Sequence, residues 1–368
     1  MIKVMTIFGT RPEAIKMLPI IKLIQKENNT FKSIVVVTGQ HREMLDQVLE
    51  AFDLVPNYNL KIMHPNQTLT EITSDIINEL SVVFEIEEPD IVLVHGDTTT
   101  TFAASLSAFY HKIPIGHVEA GLRTWDKYSP FPEEMNRQLT DCLSDFYFAP
   151  TAKSKLNLIK ENHSEKQIFV TGNTVIDALN YSVREEFYHP VLRKLNIQSK
   201  IILLTMHRRE NQGQPMMHVF QAITQLIKKH KDIEVIFPVH LSPKVQNMAK
   251  QYLKGIERVH MVEPLNVIEF HNIIARSYLI LTDSGGVQEE APSLNKPVLI
   301  LRNETERPEG IETGALKLVG TDPKVIIKEV EILLTNKKVY DKMANAKNPY
   351  GDGKASYRIL KILKQYFA

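Results

Sequence analysis

The chain has 368 residues, of which 43% are hydrophobic and 24% are charged, as is usual for a globular protein. Its 44 basic and 43 acidic residues leave a net charge of +1, which excludes nucleic-acid binding driven by bulk charge but allows a local anion site. A single cysteine, Cys142, excludes a disulfide framework and a cysteine-ligated metal site, and we expect it at a buried helix position. The N-terminus passes directly into a strand pattern and no run of 18 apolar residues occurs, so we expect a cytoplasmic protein that has no membrane partner.

Short apolar runs rich in β-branched residues recur along the chain and are typical of buried strands. In chain order, the first six predicted strands cover 2–8, 33–39, 90–96, 113–119, 145–150 and 167–172. The second six cover 200–206, 234–240, 258–264, 278–283, 296–301 and 315–320. Such strands, alternating with amphipathic helices, predict parallel sheets covered on both faces. Because twelve strands are too many for one ordinary sheet, we expect an α/β fold of two doubly wound, Rossmann-like domains.

The less patterned stretch 181–200 separates the two series of strands. Near the C-terminus, the turn "NPYGDG" precedes a final amphipathic helix whose apolar face needs a partner. We therefore expect an N-terminal domain of residues 1–172 to which the C-terminal helix, within 352–368, returns. The second domain would comprise residues 173–351.

Polar residues follow most of the predicted strands, and in open parallel sheets ligands bind beyond these carboxyl ends. The first such turn lies in "TIFGTRPEAIKM" (6–17), where a dinucleotide-binding turn would carry several glycines. Here Gly9 stands alone and is followed by Arg11 and Lys16. The turn therefore offers two cations.

The segment "VHGDTTTTFAA" (94–104) places Asp97 at another strand end, directly before four threonines that begin a helix. An aspartate at this position is commonly an N-cap. However, Thr98, Thr99 and Thr100 could cap the helix equally well. This redundancy leaves a separate role open for the carboxylate of Asp97.

The segment "HVEAGLRTWDKYSPFPEEMNRQ" (117–138) places Glu119 at a strand end, before a long loop and a helix that carries Glu133, Glu134 and Arg137. Acidic residues in a first helical turn suit the helix dipole. Arg137 shares a helix face with Glu133, so an exposed ion pair is the simplest interpretation. The alternative is that the loop brings these acids and bases close to Glu119.

Two further strand ends carry features that suit a phosphate. In "MHRRENQG" (206–213), His207 is followed by two arginines, which could pair with a diphosphate or form a solvated basic loop. In "TDSGGVQEEAP" (282–292), Ser284–Gly286 separate a strand from a helix, so the backbone could approach an anion closely. A tight turn followed by an acidic first helical turn is the alternative for this segment.

Several common motifs do not occur in the sequence. No GxGxxG follows a predicted strand, and GxxxxGK[ST], GxSxG and HExxH are missing. Dinucleotide, P-loop and nucleophile-elbow chemistry are therefore not indicated, and we expect no metal.

Nine segments occur together and in order: "FGTRPEAIKM", "HGDTTTT", "HVEAGLRT", "PEEMNRQ", "GNTVIDAL", "HRREN", "LTDSGGVQEEAP", "TERPEG" and "NPYGDG". Because it carries this ordered set of motifs, the chain resembles the non-hydrolysing UDP-N-acetylglucosamine 2-epimerases of bacteria from about residue 3 to about residue 365. The resemblance implies a GT-B-like fold with two domains facing across a cleft that closes on a UDP-sugar. It also implies a homodimer, no redox cofactor, and a product that supplies N-acetylmannosamine units to cell-surface polysaccharide.

The resemblance also implies site residues, position by position. Residues that match the catalytic group of the family are Asp97, Glu119, Glu133, Arg137 and His207. Residues that match the substrate-binding group are Arg11, Lys16, Phe270, Ser284, Gly285, Gly286, Glu290 and Arg307. Residues that match part of a second, allosteric substrate site are Gln40, His41, Arg208 and His240. Arg11 would meet the phosphates on domain closure, whereas Lys16 could instead support the site by pairing with a carboxylate.

The chemistry explains why an epimerase of this kind needs such residues. The C2 proton of the sugar has no neighbouring carbonyl and is not acidic enough for simple removal and return. Elimination of UDP to 2-acetamidoglucal followed by re-addition is the remaining route, and it requires fixed cations for the diphosphate and more than one carboxyl group. The alternatives are a hydrolysing 2-epimerase that releases N-acetylmannosamine, a GT-B glycosyltransferase and a catalytically silent UDP-sugar sensor.

Overall fold

Each half of the alternating pattern of strands and helices forms its own parallel sheet. A computed structural model describes residues 1–40, 42–305 and 307–367. Contacts divide it into a first unit, Met1–Tyr181 with Tyr350–Ala368, and a second unit, Ser182–Pro349. The predicted α/β fold of two domains is therefore confirmed.

The first unit contains a seven-stranded parallel sheet in the order β3-β2-β1-β4-β5-β6-β7. Its strands are β1 Ile2–Phe8, β2 Phe31–Val37, β3 Tyr58–Asn59, β4 Ile91–His95, β5 Ile115–Val118, β6 Phe146–Ala149 and β7 Ile168–Val170. Its helices before the second unit are α1 Arg11–Lys26, α2 Arg42–Ala51, α3 Leu69–Glu87, α4 Thr99–Tyr110, α5 Glu133–Leu143, α6 Ala152–Lys160 and α7 Thr174–Ser182.

The second unit contains a six-stranded parallel sheet in the order β10-β9-β8-β11-β12-β13. Its strands are β8 Lys200–Thr205, β9 Ile233–Pro238, β10 Val259–Val262, β11 Leu279–Thr282, β12 Val298–Ile300 and β13 Leu316–Leu318. Its helices are α8 Pro190–Lys194, α9 Gln214–Lys229, α10 Pro243–Leu253, α11 Val267–Arg276, α12 Gly285–Glu290, α13 Pro308–Glu312, α14 Pro323–Thr335 and α15 Lys337–Ala344. The last helix of the chain, α16 Ala355–Phe367, belongs to the first unit.

The apolar runs of the sequence form the centres of both sheets. All twelve predicted strands form within two residues of their predicted bounds, and β3 is an additional strand of two residues, too short for a recognisable pattern. In the first unit, Met5 and Ile7 of β1 pack in one buried cluster with Ile76 of α3 and Ala104 of α4. Burial of a large apolar side chain stabilises a fold by about 1.5–3 kcal/mol, so such clusters fix the register of the strands.

The C-terminal helix α16 packs on α1 and is anchored by a buried carboxylate. Asp177 in α7 accepts the backbone N–H groups of Ala355 and Ser356 at 3.1 and 2.7 Å. Burial raises the pKa of Asp177 even though these N–H groups favour its charged form. These contacts join α7 to the first unit. The boundary predicted after residue 172 would instead have placed α7 in the second domain. Among the described helices, none combines the length and apolar character needed to cross a membrane.

Gly9 ends β1 where two threonine side chains meet. The hydroxyls of Thr38 and Thr100 are 2.9 Å apart and hydrogen-bonded. A Cβ added to Gly9 would lie 2.3 Å from the first hydroxyl and 2.4 Å from the second. Close packing between strand ends, rather than approach to a ligand, therefore requires glycine here.

We predict that Gly9→Ala lowers the free energy of unfolding by about 1–3 kcal/mol, because the methyl group must displace both hydroxyls. Gly286→Ala is the matched control, since the nearest atom to its added Cβ is 3.8 Å away. Urea unfolding followed by circular dichroism measures both variants. Equal stability of the two variants would contradict the prediction.

Candidate active site

The turn after β1 is held by a carboxylate that the sequence analysis did not single out. The backbone N–H groups of Gly9 and Thr10 donate to one oxygen of the buried Glu13 at 3.1 and 2.8 Å. The Thr98 hydroxyl donates to the other oxygen at 2.7 Å. Glu13 thereby joins the turns after β1 and β4, and it places the half-buried Arg11 as the first residue of α1.

Glu119 lies at the end of β5 with a φ of +70°, a conformation that L-residues rarely adopt. Its carboxylate forms an ion pair with Lys16 and accepts from Asn173 Nδ2 at 2.7 Å, while His95 Nε2 lies 3.6 Å away. Burial raises the pKa of Glu119, but Lys16 and His95 outweigh burial and hold that pKa well below its usual range. Backbone strain combined with an ionised buried side chain is typical of functional sites.

Asp97 pairs with Arg137 and is not the N-cap of α4. The Thr98 hydroxyl caps that helix by accepting the N–H of Thr101 at 3.1 Å. The carboxylate of Asp97 instead accepts from Arg137 Nη2 at 2.6 Å, and its backbone carbonyl accepts from Asn136 Nδ2 at 3.0 Å. Both donors belong to α5, so Asp97 ties the end of β4 to that helix.

The two neighbouring glutamates of α5 differ in their surroundings. Glu134 is buried and accepts the backbone N–H groups of Thr124 and Trp125 at 3.0 and 3.1 Å, so it holds the preceding loop. Arg137 Nη1 lies 3.4 Å from Glu134. Arg137 therefore pairs with Asp97 and Glu134, whereas the simplest interpretation of the sequence was an exposed pair with Glu133. Glu133 is half-buried, and its side chain makes no hydrogen bond or ion pair within residues 1–40, 42–305 and 307–367.

A buried chain of charges lies beneath these turns. His117 contacts the Asp141 carboxylate through Nδ1 at 2.6 Å and the Gly96 carbonyl through Nε2 at 2.7 Å. Because neither of these acceptors donates, the ring donates from both nitrogens, as an imidazolium does. Arg123 Nη2 also donates to Asp141 at 2.6 Å. Burial raises the pKa of Asp141, but His117 and Arg123 outweigh burial and lower it.

In the second unit, Ser284 is the N-cap of α12 and the two glycines form its first turn. A Cβ on Gly285 would lie 2.7 Å from Arg307 Nη1, so glycine lets this guanidinium approach the backbone. Arg307 Nε donates to Glu289 at 2.6 Å, which fixes the guanidinium beside the start of the helix. Backbone N–H groups and an arginine at one turn are the donors that phosphate oxygens prefer.

The remaining substrate-binding candidates of the second unit are Glu290 and Gly286, which lie in α12, and Phe270, which packs against the apolar core. Glu290 Oε2 lies 3.4 Å from His271 Nε2. Phe270 is half-buried and packs against the apolar cluster that contains Val287 of α12. Gly286 has no atom closer than 3.8 Å to an added Cβ.

His207 follows β8, and 42% of its side chain is exposed. Its Nδ1 lies 3.1 Å from the buried carboxylate of Asp283, and its ring stacks on His240 with centroids 5.8 Å apart. Burial raises the pKa of Asp283, but the contact with His207 and further donors outweigh burial and lower it. The backbone N–H of Arg208 donates to Asp283 at 3.0 Å.

The predicted allosteric residues are only partly described. Gln40 Oε1 accepts from the Thr100 hydroxyl at 2.9 Å, at the carboxyl end of the first sheet. Arg208 and His240 lie at the corresponding end of the second sheet, and His41 falls outside the described residues. The second substrate site therefore stays a prediction.

The expectation that Cys142 is buried is wrong. The thiol is exposed, because α5 directs the neighbouring Asp141 inward toward His117 and turns the next residue outward. Partial burial together with the charges of Glu161 and Asp141 raises the pKa of the thiol. A raised pKa disfavours the thiolate that a nucleophilic cysteine requires.

Besides Glu13, four residues beside the candidate site are not among the predicted site residues. His95, Asn173 and Glu134 surround the carboxylates of the first unit, and Asp283 contacts His207 in the second. All four stand in motifs that were recognised: "HGDTTTT", "GNTVIDAL", "PEEMNRQ" and "LTDSGGVQEEAP". For His95, Asn173 and Asp283 the available signal was a position at or directly after a strand end.

Ionised carboxylates beside cations in the first unit, and a glycine turn beside an arginine in the second, define an α/β enzyme for an anionic substrate. The chain matches the family model described as UDP-N-acetylglucosamine 2-epimerase over residues 24–364, and it belongs to that family. The resemblance drawn from the sequence motifs is thereby confirmed.

Individual relatives agree with this family over nearly the whole chain. A UDP-N-acetylglucosamine 2-epimerase of Bacillus subtilis (strain 168) is 58% identical over 362 residues, covering 98% of this chain and 95% of the relative. A crystal structure of a UDP-N-acetylglucosamine 2-epimerase has a TM-score of 0.93 at 55% identity and covers 99% of this chain and 96% of its own. The Neisseria meningitidis UDP-GlcNAc 2-epimerase bound to UDP-GlcNAc has a TM-score of 0.86 at 50% identity, with coverage of 99% and 100%.

We predict that Glu134→Gln lowers the free energy of unfolding by about 1–3 kcal/mol, because an amide NH₂ must then face one of two backbone N–H donors. Glu133→Gln is the matched control and should change stability by less than about 0.5 kcal/mol. Urea unfolding and limited proteolysis of the loop before α5 measure the difference. Similar losses in both variants would contradict the distinction between the two glutamates.

Proposed function

We propose that the protein interconverts UDP-N-acetylglucosamine and UDP-N-acetylmannosamine by elimination and re-addition of UDP. The observation that carries the proposal is the half-buried, strained Glu119, held ionised by Lys16 at the sheet edge that also carries Asp97, the partner of Arg137 in α5. The family membership and the relative bound to UDP-GlcNAc support the identity of the substrate.

Elimination breaks the C2–H and C1–O bonds and forms a bond from the base to the proton and the C1=C2 π bond. The C2–H bond gives its proton to a base, the electron pair forms the C1=C2 bond of 2-acetamidoglucal, and the C1–O bond releases UDP as an anion. Re-addition reverses these steps with the proton delivered to the opposite face of C2. The two faces require more than one carboxyl group, and Asp97, Glu119 and Glu133 fill that requirement.

The cations of the site serve the leaving group. UDP gains negative charge as the C1–O bond breaks, so donors fixed in advance stabilise the transition state. In this proposal Arg11 and Arg137 serve from the first unit, and His207 with the Ser284–Gly286 turn serves from the second. Lys16 acts through Glu119, because its ion pair keeps that carboxylate ionised at the start of the cycle.

Nucleotide recognition is assigned to the second unit. Arg307 lies within contact distance of the Gly285 backbone and is oriented by Glu289, which suits a phosphate oxygen. The half-buried ring of Phe270 offers a stacking surface for a base, and Glu290 offers an acceptor for ribose hydroxyls.

We predict that the purified protein, given UDP-GlcNAc in deuterated water, incorporates deuterium at C2 and forms UDP-ManNAc, as followed by NMR. UDP-ManNAc supplied alone should return UDP-GlcNAc. Free N-acetylmannosamine and UDP as the only products would indicate the hydrolysing enzyme. Exchange that requires an added acceptor sugar would indicate a glycosyltransferase, and binding without exchange would indicate a sensor.

Substitutions of the three carboxylates test whether these side chains carry the chemistry. Asp97→Asn, Glu119→Gln and Glu133→Gln should each lower kcat by about 10²- to 10⁴-fold, the range for loss of a general acid or base. Glu165→Gln is the control, because Glu165 is exposed and pairs only with Lys155 among the described residues. Full turnover in all three test variants would refute the assignment.

The first unit also presents a candidate dimer surface. Val82, Ile86, Phe109 and Tyr110 are each more than half exposed on α3 and α4, two helices that pack together. Exposed apolar side chains on adjacent helices are typical of a protein–protein interface, and twofold dimers are the commonest oligomers. We propose that a second copy of the chain covers this surface.

We predict that Ile86→Lys combined with Phe109→Glu converts a dimer to a monomer in sedimentation equilibrium, because charges replace apolar contacts at the interface. Tyr357→Glu, at an exposed position on α16, is the control and should leave the mass unchanged. A monomeric parent protein, or a dimer that survives the double substitution, would contradict the proposal.

A further inference from the structure

Asp283 is a fully buried carboxylate at the end of β11, and it receives donors from the loop after β8. It accepts the backbone N–H of His207 at 3.1 Å and that of Arg208 at 3.0 Å. Asn211 Nδ2 donates to it at 3.0 Å, and His207 Nδ1 lies 3.1 Å from Oδ1. One carboxylate therefore contacts both the backbone and the ring of His207.

The contact with the ring determines which nitrogen carries hydrogen. An ionised carboxylate accepts but cannot donate, so the 3.1 Å contact is attractive only with hydrogen on Nδ1 of His207, because a lone pair there would face the carboxylate oxygen. The second nitrogen, Nε2, lies on the far side of the ring from Nδ1 and is left for a ligand. In its neutral form the ring then offers an acceptor at Nε2, and in its charged form it offers a donor there.

The neighbouring histidine has the opposite tautomer. His240 Nδ1 accepts the backbone N–H of Ser242 at 3.1 Å, so this nitrogen carries no hydrogen. Its ring stacks on His207 at an interplanar angle of 24°. Arg208, the residue after His207, donates from Nε to the backbone carbonyl of Asp283 at 3.2 Å. Two stacked imidazoles thus have different hydrogen-bonding roles, and the carboxylate faces only one of them.

We propose that Asp283 is a positioning residue that fixes the Nδ1–H tautomer and the orientation of His207, so that Nε2 is the nitrogen presented to the substrate. Its effect on catalysis rests on the function proposed above, because it acts through His207. The tautomer itself does not depend on that function. A buried carboxylate that orients a histidine in this way is a recurrent arrangement in enzymes, and its loss leaves the wrong tautomer populated.

The first test is ¹⁵N NMR of the histidine rings of the unmodified protein, with His207→Asn used to assign the signal. With the ring neutral, we expect a protonated Nδ1 and an unprotonated Nε2 for His207, and the reverse for His240. An unprotonated Nδ1 in His207 would overturn the proposal. This measurement needs neither substrate nor turnover, so it holds even if the epimerase function fails.

The second test compares two variants of the loop. Asp283→Asn should shift the tautomer of His207 and lower kcat by about 10²- to 10⁴-fold with a smaller change in KM. Asn211→Ala removes one hydrogen bond from the same carboxylate but leaves the ring contact, so it should keep the tautomer and most of kcat. Equal losses in both variants, or an unshifted tautomer in Asp283→Asn, would overturn the positioning role. If Asp283→Asn does not fold, Asp283→Glu takes its place: because it keeps a carboxylate, it should retain the Nδ1–H tautomer of His207, and a shifted tautomer in the folded Glu variant would overturn the positioning role.

Discussion

The placement of the carboxylates proposed for catalysis depends on one buried contact, that between His117 and Asp141. The imidazole contacts the Gly96 carbonyl on one side and a carboxylate of α5 on the other. Asp97 directly follows that glycine, Glu119 lies two residues after the histidine, and α5 carries the glutamate pair. A buried charge that lost its partner would be strongly destabilising, so the three elements are held together as a unit.

Two of the three carboxylates proposed for catalysis have a fixed partner of opposite charge. Lys16 neutralises Glu119, and Arg137 neutralises Asp97. In the second unit, donors surround Asp283 in the same way. The charges are therefore paired before a substrate arrives, and binding of an anionic ligand redistributes existing ion pairs instead of creating isolated charges. For the proposed elimination, cations held in place by these carboxylates would be preorganised donors for the leaving group.

Most of the fold could be predicted because buried parallel strands have near-continuous apolar sequences, and strand ends then place polar residues at one edge. That rule located Asp97 and Glu119 correctly at neighbouring strand ends. It could not find Asn173 or Asp283 as contributors, because their importance comes from partners 54 and 76 residues away in the chain. Nor could helical periodicity show that Cys142 is exposed, since the inward direction of α5 is set by the charged Asp141 and not by apolar residues.

The left-handed backbone of Glu119 has a consequence for how this protein can evolve or be engineered. At that position glycine would adopt the native φ without the steric conflict that a side chain meets, but it would also remove the carboxylate that pairs with Lys16. Loss of one partner of a buried ion pair costs about 3–5 kcal/mol, which exceeds the roughly 1–3 kcal/mol of backbone strain that glycine would relieve. Stability and the proposed activity therefore favour the same residue at position 119, and a screen for heat resistance should retain Glu119.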